Sequence, residues 1–254
     1  MNTPASSIPL ALLERGDGPH VLVLHGGAGP LSVAAFVETM SARAHVVAPT
    51  HPGFAGTERP EALDSIGKLA DAYARLIEDR GWRDVLVIGF SIGGWIAAEL
   101  ALRAAERLRG VVLVDAAGIE VAGEPVADVF SMSPRELSTL SYADADRFFV
   151  DPATFPPERL AAMAANFRAL AVYGRALNMA DPTLAPRLAK ATTPALLVWG
   201  ANDGVTTPAY GRRFAQAWPG SRFELIERCG HLPQIEQPQA LMAAIESFEE
   251  ALRR

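Results

Sequence analysis

The chain has no run approaching the ~18 uninterrupted apolar residues of a membrane-spanning helix, and no repeat period of roughly 20 to 50 residues recurs along it. Membrane and repeat architectures are set aside on those grounds. A single cysteine, Cys229, excludes an internal disulfide. The N-terminal stretch Met1 to Leu13 lacks a basic segment, and Pro9 interrupts its apolar residues, so no secretory leader is read there and a reducing, cytoplasmic setting is expected. Basic residues are not in excess: 23 Lys and Arg face 29 Asp and Glu, for a net charge of −6. That balance gives no electrostatic reason to expect nucleic acid or anionic lipid as a partner. No H-E-x-x-H or cysteine-rich spacing is present, so no metal is expected. What remains is a mildly acidic globular chain of 254 residues, 50% hydrophobic and 20% charged, with ample material for one large core.

Short apolar runs recur at His20 to Leu24, His45 to Ala48, Val85 to Ile88, Val111 to Val114, Ala195 to Trp199 and Phe223 to Ile226. Runs apolar on both faces suit buried parallel strands. Between them lie helical patterns, such as Leu69, Tyr73, Leu76 and Ile77 before the third run and Ile96 and Leu100 after it. The alternation predicts an α/β fold with a mostly parallel central sheet flanked by helices on both faces. From Ile119 to about Lys190 the rhythm stops, and prolines punctuate helical pieces. The division expected is therefore a core of residues 1–118 and 191–254 with a helical cap over 119–190. Its best helix spans about Pro157 to Leu177, with Leu160, Met163, Phe167, Leu170 and Tyr173 stepping along one face. Phe130, Tyr142, Phe148, Phe149, Phe155, Phe167 and Tyr173 place seven of 19 aromatics in this insert. Single residues of the stripe read as ordinary core; as a group, the aromatics could roof a pocket.

After the third run comes Gly89-Phe90-Ser91-Ile92-Gly93, followed by a helical pattern. This is G-x-S-x-G in the strand-turn-helix context that gives the motif meaning, because the glycines let strand and helix approach around a strained serine. Chance supplies roughly 0.08 such matches in a chain of this composition. The plainer reading makes Ser91 a helix N-cap only. A serine nucleophile needs a base, and the base needs an orienting acid. Of five histidines, only His231 follows Ser91, directly after the last strand-like run. Two aspartates compete for the acid: Asp203 in a Gly-rich loop after Trp199-Gly200, and Asp115 after Val114. Both follow strands, where open α/β sheets place their sites. Asp203 is preferred because Asp115 leads straight into the insert; Glu227 and Glu236 would have to fold back locally. An oxyanion would need two backbone donors. Ile92, after the nucleophile, offers one, and Gly27 of His25-Gly26-Gly27-Ala28-Gly29 the other. The loop fails G-x-G-x-x-G and lacks a following acidic residue, which argues against a dinucleotide site. His25 is read as ordering this loop, and Cys229 as a buried packing residue.

With Ser91, Asp203, His231 and the His25-Gly26-Gly27 loop in place, the chain resembles the α/β-hydrolase superfamily over nearly its whole length, and specifically its lid-bearing serine hydrolases. Two further segments carry the resemblance, His51 to Thr57 and Gly230 to Pro238. It implies a cap inserted after the sixth strand and no cofactor. His51 stands where an acidic residue is common in the family, which is expected to alter loop packing only. Epoxide hydrolases and haloalkane dehalogenases use aspartate at the elbow, so serine argues against both. Carbon–carbon hydrolases of meta-cleavage products usually carry asparagine before the serine and tryptophan after the histidine; Phe90 and Leu232 stand here. The expected activity is hydrolysis of a small apolar or aromatic carboxylic ester through an acyl-enzyme, with Phe90, Leu232, Phe130, Phe148 and Phe167 against the substrate. Alternatives are carbon–carbon cleavage of a dienone acid, where an insert arginine (Arg135, Arg147, Arg159, Arg168 or Arg175) would bind the carboxylate, and a ligand-binding receptor with little turnover. Perhydrolase side activity stays open. The partner expected is a small ester or ketone, with no nucleic acid or membrane; oligomeric state is not legible.

Overall fold

A computed structural model describes residues 10–253; of the Met1 to Leu13 segment, residues 1–9 lie outside the described residues. The strands are β1 (Ala11–Arg15), β2 (His20–Leu24), β3 (His45–Thr50), β4 (Val85–Phe90), β5 (Leu108–Val114), β6 (Gly118–Ile119), β7 (Ala180–Asp181), β8 (Ala195–Gly200) and β9 (Arg222–Ile226). Seven of them form one sheet in the order β1-β3-β2-β4-β5-β8-β9, parallel throughout except for β1 against β3. The helices are α1 (Ala34–Ser41), α2 (Ile66–Asp79), α3 (Ile92–Ala101), α4 (Pro134–Ser141), α5 (Ala145–Phe148), α6 (Pro157–Gly174), α7 (Leu184–Leu188), α8 (Pro208–Ala217), α9 (Pro233–Glu236) and α10 (Pro238–Leu252). None among the described residues is long and apolar enough to cross a membrane.

Period-two alternation sorts the central strands into two cores. Leu22, Val87, Leu113 and Leu197 face one side with Tyr73 of α2, Ile96 of α3 and Phe214 of α8. Val21, Ile88, Val112 and Val198 face the other with Phe36 of α1 and Ile245 and Phe248 of α10. Each such aliphatic or aromatic side chain contributes ~1.5–3 kcal/mol when fully buried. This double burial is why β2, β4, β5 and β8 read as unbroken apolar runs.

Three strands lay outside the sequence expectation. Edge strand β1 alternates exposed and half-buried residues, so it carries no apolar run. Strands β6 and β7 are two residues each and pair Gly118 with Ala180 and Ile119 with Asp181, a tertiary closure of the insert's two ends that leaves no local pattern. Six strands precede α4, the sixth being β6, and helices α4 to α7 fill the interval before β8. Helix α6 begins at Pro157 as expected; its last expected turn, Arg175–Leu177, is 3-10.

Helix α3 is buried at all ten positions, including Glu99. A buried carboxylate is tolerable only if paired. Arg187 of α7 supplies two hydrogen bonds to Glu99, at 2.7 and 2.5 Å, and Arg103 a third contact. The insert is thereby clamped to the helix that follows Ser91.

Candidate active site

Ser91 closes β4 and caps α3 with φ 53° and ψ −117°, a conformation that L-residues rarely adopt and that surrounding structure must enforce. The glycines explain how. A Cβ on Gly89 would fall 2.2 Å from the Gly93 carbonyl oxygen, and one on Gly93 would fall 2.2 Å from the Leu24 carbonyl oxygen. The serine N–H donates to Val114 at 2.9 Å, and its carbonyl accepts from Gly94 at 2.9 Å. Both residues flanking the turn must lack a side chain.

His231 lies between β9 and α9. Its N–H donates to the Ser141 carbonyl at 2.8 Å, where the insert's α4 ends. Glu236 ties the same region down, accepting from Gly230 at 2.6 Å and Ala143 at 2.9 Å. The imidazole Nδ1 is 2.8 Å from Asp203 Oδ2 and Nε2 is 2.9 Å from Ser91 Oγ. A carboxylate at Nδ1 assigns the ring proton there, which leaves Nε2 to accept the serine hydroxyl proton. Asp203 is held in place by its own turn: Oδ1 accepts from Val205 and Thr206 N–H at 2.7 and 3.0 Å, and Oδ2 from the Thr206 hydroxyl at 2.8 Å. Ser91, His231 and Asp203 are thus in one hydrogen-bonded row.

Asp115, the competing acid, does not bond His231. Its Oδ1 accepts the Gly200 N–H at 2.8 Å, while Oδ2 has no partner among the described residues. Burial, then the Asp203 charge, push its carboxyl well above the usual range. Among the described residues, Asp115, Asp203 and His231 are the group of candidate metal ligands whose atoms lie within 4.8 Å. Both imidazole nitrogens are engaged here, Nδ1 by Asp203 and Nε2 by Ser91.

Gly27 borders the site, and a Cβ there would press on Leu170 at 3.0 Å. Neither Gly27 N–H nor Ile92 N–H has an acceptor among the described residues. Two buried histidines hold the Gly27 loop. His25 Nδ1 donates to the Gly26 carbonyl at 2.8 Å and Nε2 accepts the His51 N–H at 3.1 Å. His51 Nε2 donates to the His25 carbonyl at 3.0 Å, and Nδ1 accepts from Tyr73. Desolvation lowers His25 to about 4 and His51 well below the ordinary value. Both rings act through hydrogen bonds as uncharged struts between the loops after β2 and β3.

A cavity of about 720 Å³ opens on Ser91 and His231. Phe90, Leu232, Phe148 and Phe167, the residues expected against the substrate, line it. Phe130 does not. Its ring meets the edge of Phe167 at 5.7 Å and carries the Arg175 guanidinium at 5.4 Å, so it backs the lining instead of forming it. Tyr173 is likewise drawn into the core, donating to the Pro52 carbonyl at 2.9 Å. Of the six insert arginines, only Arg159 lines the cavity, stacked 3.6 Å over Phe155. Two residues that sequence reasoning missed are Thr206, which binds Asp203, and Asn166. The Asn166 amide donates to Ala28 at 2.8 Å and accepts from Ala55 at 2.7 Å, stitching α6 to the loops after β2 and β3. Its signal was available: Asn166 is polar on the apolar stripe, three residues from Met163 and four from Leu170.

Against this geometry, a profile of the alpha/beta hydrolase family matches residues 21–245. The chain belongs to the alpha/beta hydrolase family. Among its relatives, this hydrolase is 26% identical to a pimeloyl-[acyl-carrier protein] methyl ester esterase of Nitrosomonas europaea, covering 92% of this chain and 96% of the relative. It is 27% identical to a 2-hydroxymuconate semialdehyde hydrolase of Pseudomonas putida, over 93% and 89%. It is 29% identical to the dihydrolipoyllysine-residue acetyltransferase component of the acetoin cleaving system of Cupriavidus necator, over 88% of this chain but only 62% of that protein's length.

Proposed function

We propose that this alpha/beta hydrolase cleaves small apolar or aromatic carboxylic esters through an acyl-enzyme on Ser91. The observation that carries the reading is the row from Ser91 Oγ through His231 to Asp203, at 2.9 and 2.8 Å, opening on a cavity lined chiefly by apolar side chains. In the first half-reaction the Ser91 hydroxyl attacks the ester carbonyl while His231 Nε2 takes its proton. Asp203 fixes the imidazole tautomer and stabilises the imidazolium. The free N–H groups of Gly27 and Ile92 receive the oxyanion, each worth ~10²-fold or more in turnover. His231 returns the proton to the departing alcohol, then activates water, which releases the acid. The similarity to an esterase supports this reading, and so does the absence of charge at Phe90 and Leu232 beside the reacting groups.

Arg159 favours one second reading. It is the single cationic side chain of the lining, and a dienone acid of the meta-cleavage type presents a carboxylate that it could pair with, in keeping with the similarity to a semialdehyde hydrolase. A panel of p-nitrophenyl esters of increasing acyl length, run beside a meta-cleavage dienone acid with wild type and Ser91→Ala, separates the two. Turnover of the short apolar esters that disappears in the variant is the expected result. Turnover of the dienone acid alone would replace ester hydrolysis with carbon–carbon cleavage.

A further inference from the structure

The acid of the row does not stand alone. Asp115 directly follows β5 with φ 45°, is fully buried, and has a carboxylate oxygen within 4.8 Å of an Asp203 carboxylate oxygen and a His231 ring nitrogen. The ionisable groups around it are Asp203 after β8, Cys229 and His231 after β9, and Glu236 of α9. None is a resident cation that could balance a second carboxylate. Two carboxylates this close, away from water, do not both ionise. The hydrogen bonds decide which one carries the charge. Asp203 receives three donors from its own turn besides His231, whereas Asp115 receives one, from Gly200 N–H to Oδ1. Oδ2 of Asp115 is a buried atom without a donor, a costly arrangement for an anion and an unremarkable one for a hydroxyl that itself donates.

We infer that Asp115 is a positioning residue: as a neutral carboxylic acid it donates its Oδ2 proton to the Asp203 carboxylate and holds that carboxylate against His231. One negative charge is then shared by two aspartates from adjacent strand ends. The shared proton stays on this pair while the proton that moves in catalysis shuttles between Ser91 and His231. The competition between the two aspartates in the sequence resolves into a division of labour, one accepting from the imidazole and the other donating to the acceptor.

The inference rests on the row as read above, so its first test needs no substrate. Infrared spectra of wild-type protein labelled with ¹³C-aspartate are compared with unlabelled protein at neutral pH. A protonated-carboxyl carbonyl band that moves with the label is expected, since the other buried acids, Glu99 and Glu249, are glutamates paired with arginines. No such band would overturn the inference while leaving ester hydrolysis untouched. The second test uses Asp115→Asn and Asp115→Ala on whichever substrate the enzyme turns over. The asparagine amide can donate in place of the hydroxyl and still accept from Gly200. It is expected to recover kcat to within about threefold of wild type, whereas alanine lowers kcat about tenfold or more at unchanged KM. The acidic limb of the kcat/KM profile is expected to coincide for wild type and Asp115→Asn, because a neutral group replaces a neutral group. A limb displaced toward lower pH in Asp115→Asn, or equal losses in both variants, would contradict the donor role.

Discussion

Acidification tests the buried histidines that hold the Gly27 loop. His25 is neutral in the fold because burial lowers it from 6.5 to about 4, and His51 shifts in the same direction. Between those values the unfolded chain binds a proton at His25 that the folded protein refuses. Stability is therefore full above pH 6.5 and falls as the pH drops toward 4, where the loss from this residue levels out. At ~1.4 kcal/mol per pKa unit, His25 alone removes ~3 kcal/mol across the window, with His51 adding to it. The half-exposed His20 acts in the same sense. Carboxylates whose affinity for protons is lowered, Glu14 among them, release their contribution only below 4.5, whereas Asp115, whose carboxyl burial pushes well up, keeps a proton in the fold that the unfolded chain releases and so opposes the histidines by one proton across the window. Urea unfolding followed by tryptophan fluorescence, at a series of pH values for wild type and His25→Asn, reads the slope. Wild type should lose ~1.4 kcal/mol per pH unit as the pH falls well below 6.5, the net of the His25 and His51 protons against the one held by Asp115, and the variant should be shallower by about one proton. A flat wild-type profile, or equal slopes in both proteins, would refute the reasoning.

Other outcomes follow from the same geometry. Gly93→Ala brings a Cβ to 2.2 Å from the Leu24 carbonyl oxygen, backbone that cannot yield, and should cost ~3 kcal/mol or more; circular dichroism and melting of the purified variant read this. Replacing both Arg103 and Arg187 by Met leaves Glu99, 3% exposed, as an unpaired buried charge. A loss of ~3–5 kcal/mol is expected, largely recovered when Glu99→Leu is added, and thermal melts of the double and triple variants check it. The Cys229 thiol is fully buried and pushed well above its usual pKa by desolvation and the surrounding acids. Iodoacetamide should leave it unmodified in native protein and alkylate it in urea, as followed by intact mass.

The framework was legible because double burial writes itself into sequence. The six apolar runs are β2, β3, β4, β5, β8 and β9, four of them starting at the expected residue, namely His20, His45, Val85 and Ala195. Ser91 and His231 were legible because strand, turn and glycine spacing constrain them together. Less local features were not. Edge strand β1 has no buried face to show, and the β6–β7 pair exists only through contact across the insert. The α6 stripe was read correctly as one face, yet its upper half, Leu160, Met163 and Phe167, is exposed, while Leu170 and Tyr173 are buried. Periodicity identifies an apolar face without saying whether protein or a cavity lies against it. Phe130 shows the same limit, since composition places it in the insert and only packing places it behind Phe167. Asp115 and Asp203 both follow strands, and their difference lies in a hydrogen bond to His231 that no spacing encodes.

The most direct test of an acyl-enzyme on Ser91 is to trap it. Wild-type protein is mixed with a short-chain p-nitrophenyl ester, quenched in acid within the first turnover, digested and weighed by mass spectrometry, with Ser91→Ala in parallel. The expected result is the acyl increment on the peptide containing Ser91, and steady-state turnover in Ser91→Ala reduced by ~10⁴-fold or more. Ester turnover that persists in Ser91→Ala, or that proceeds in wild type with no acyl group on Ser91, would contradict the account.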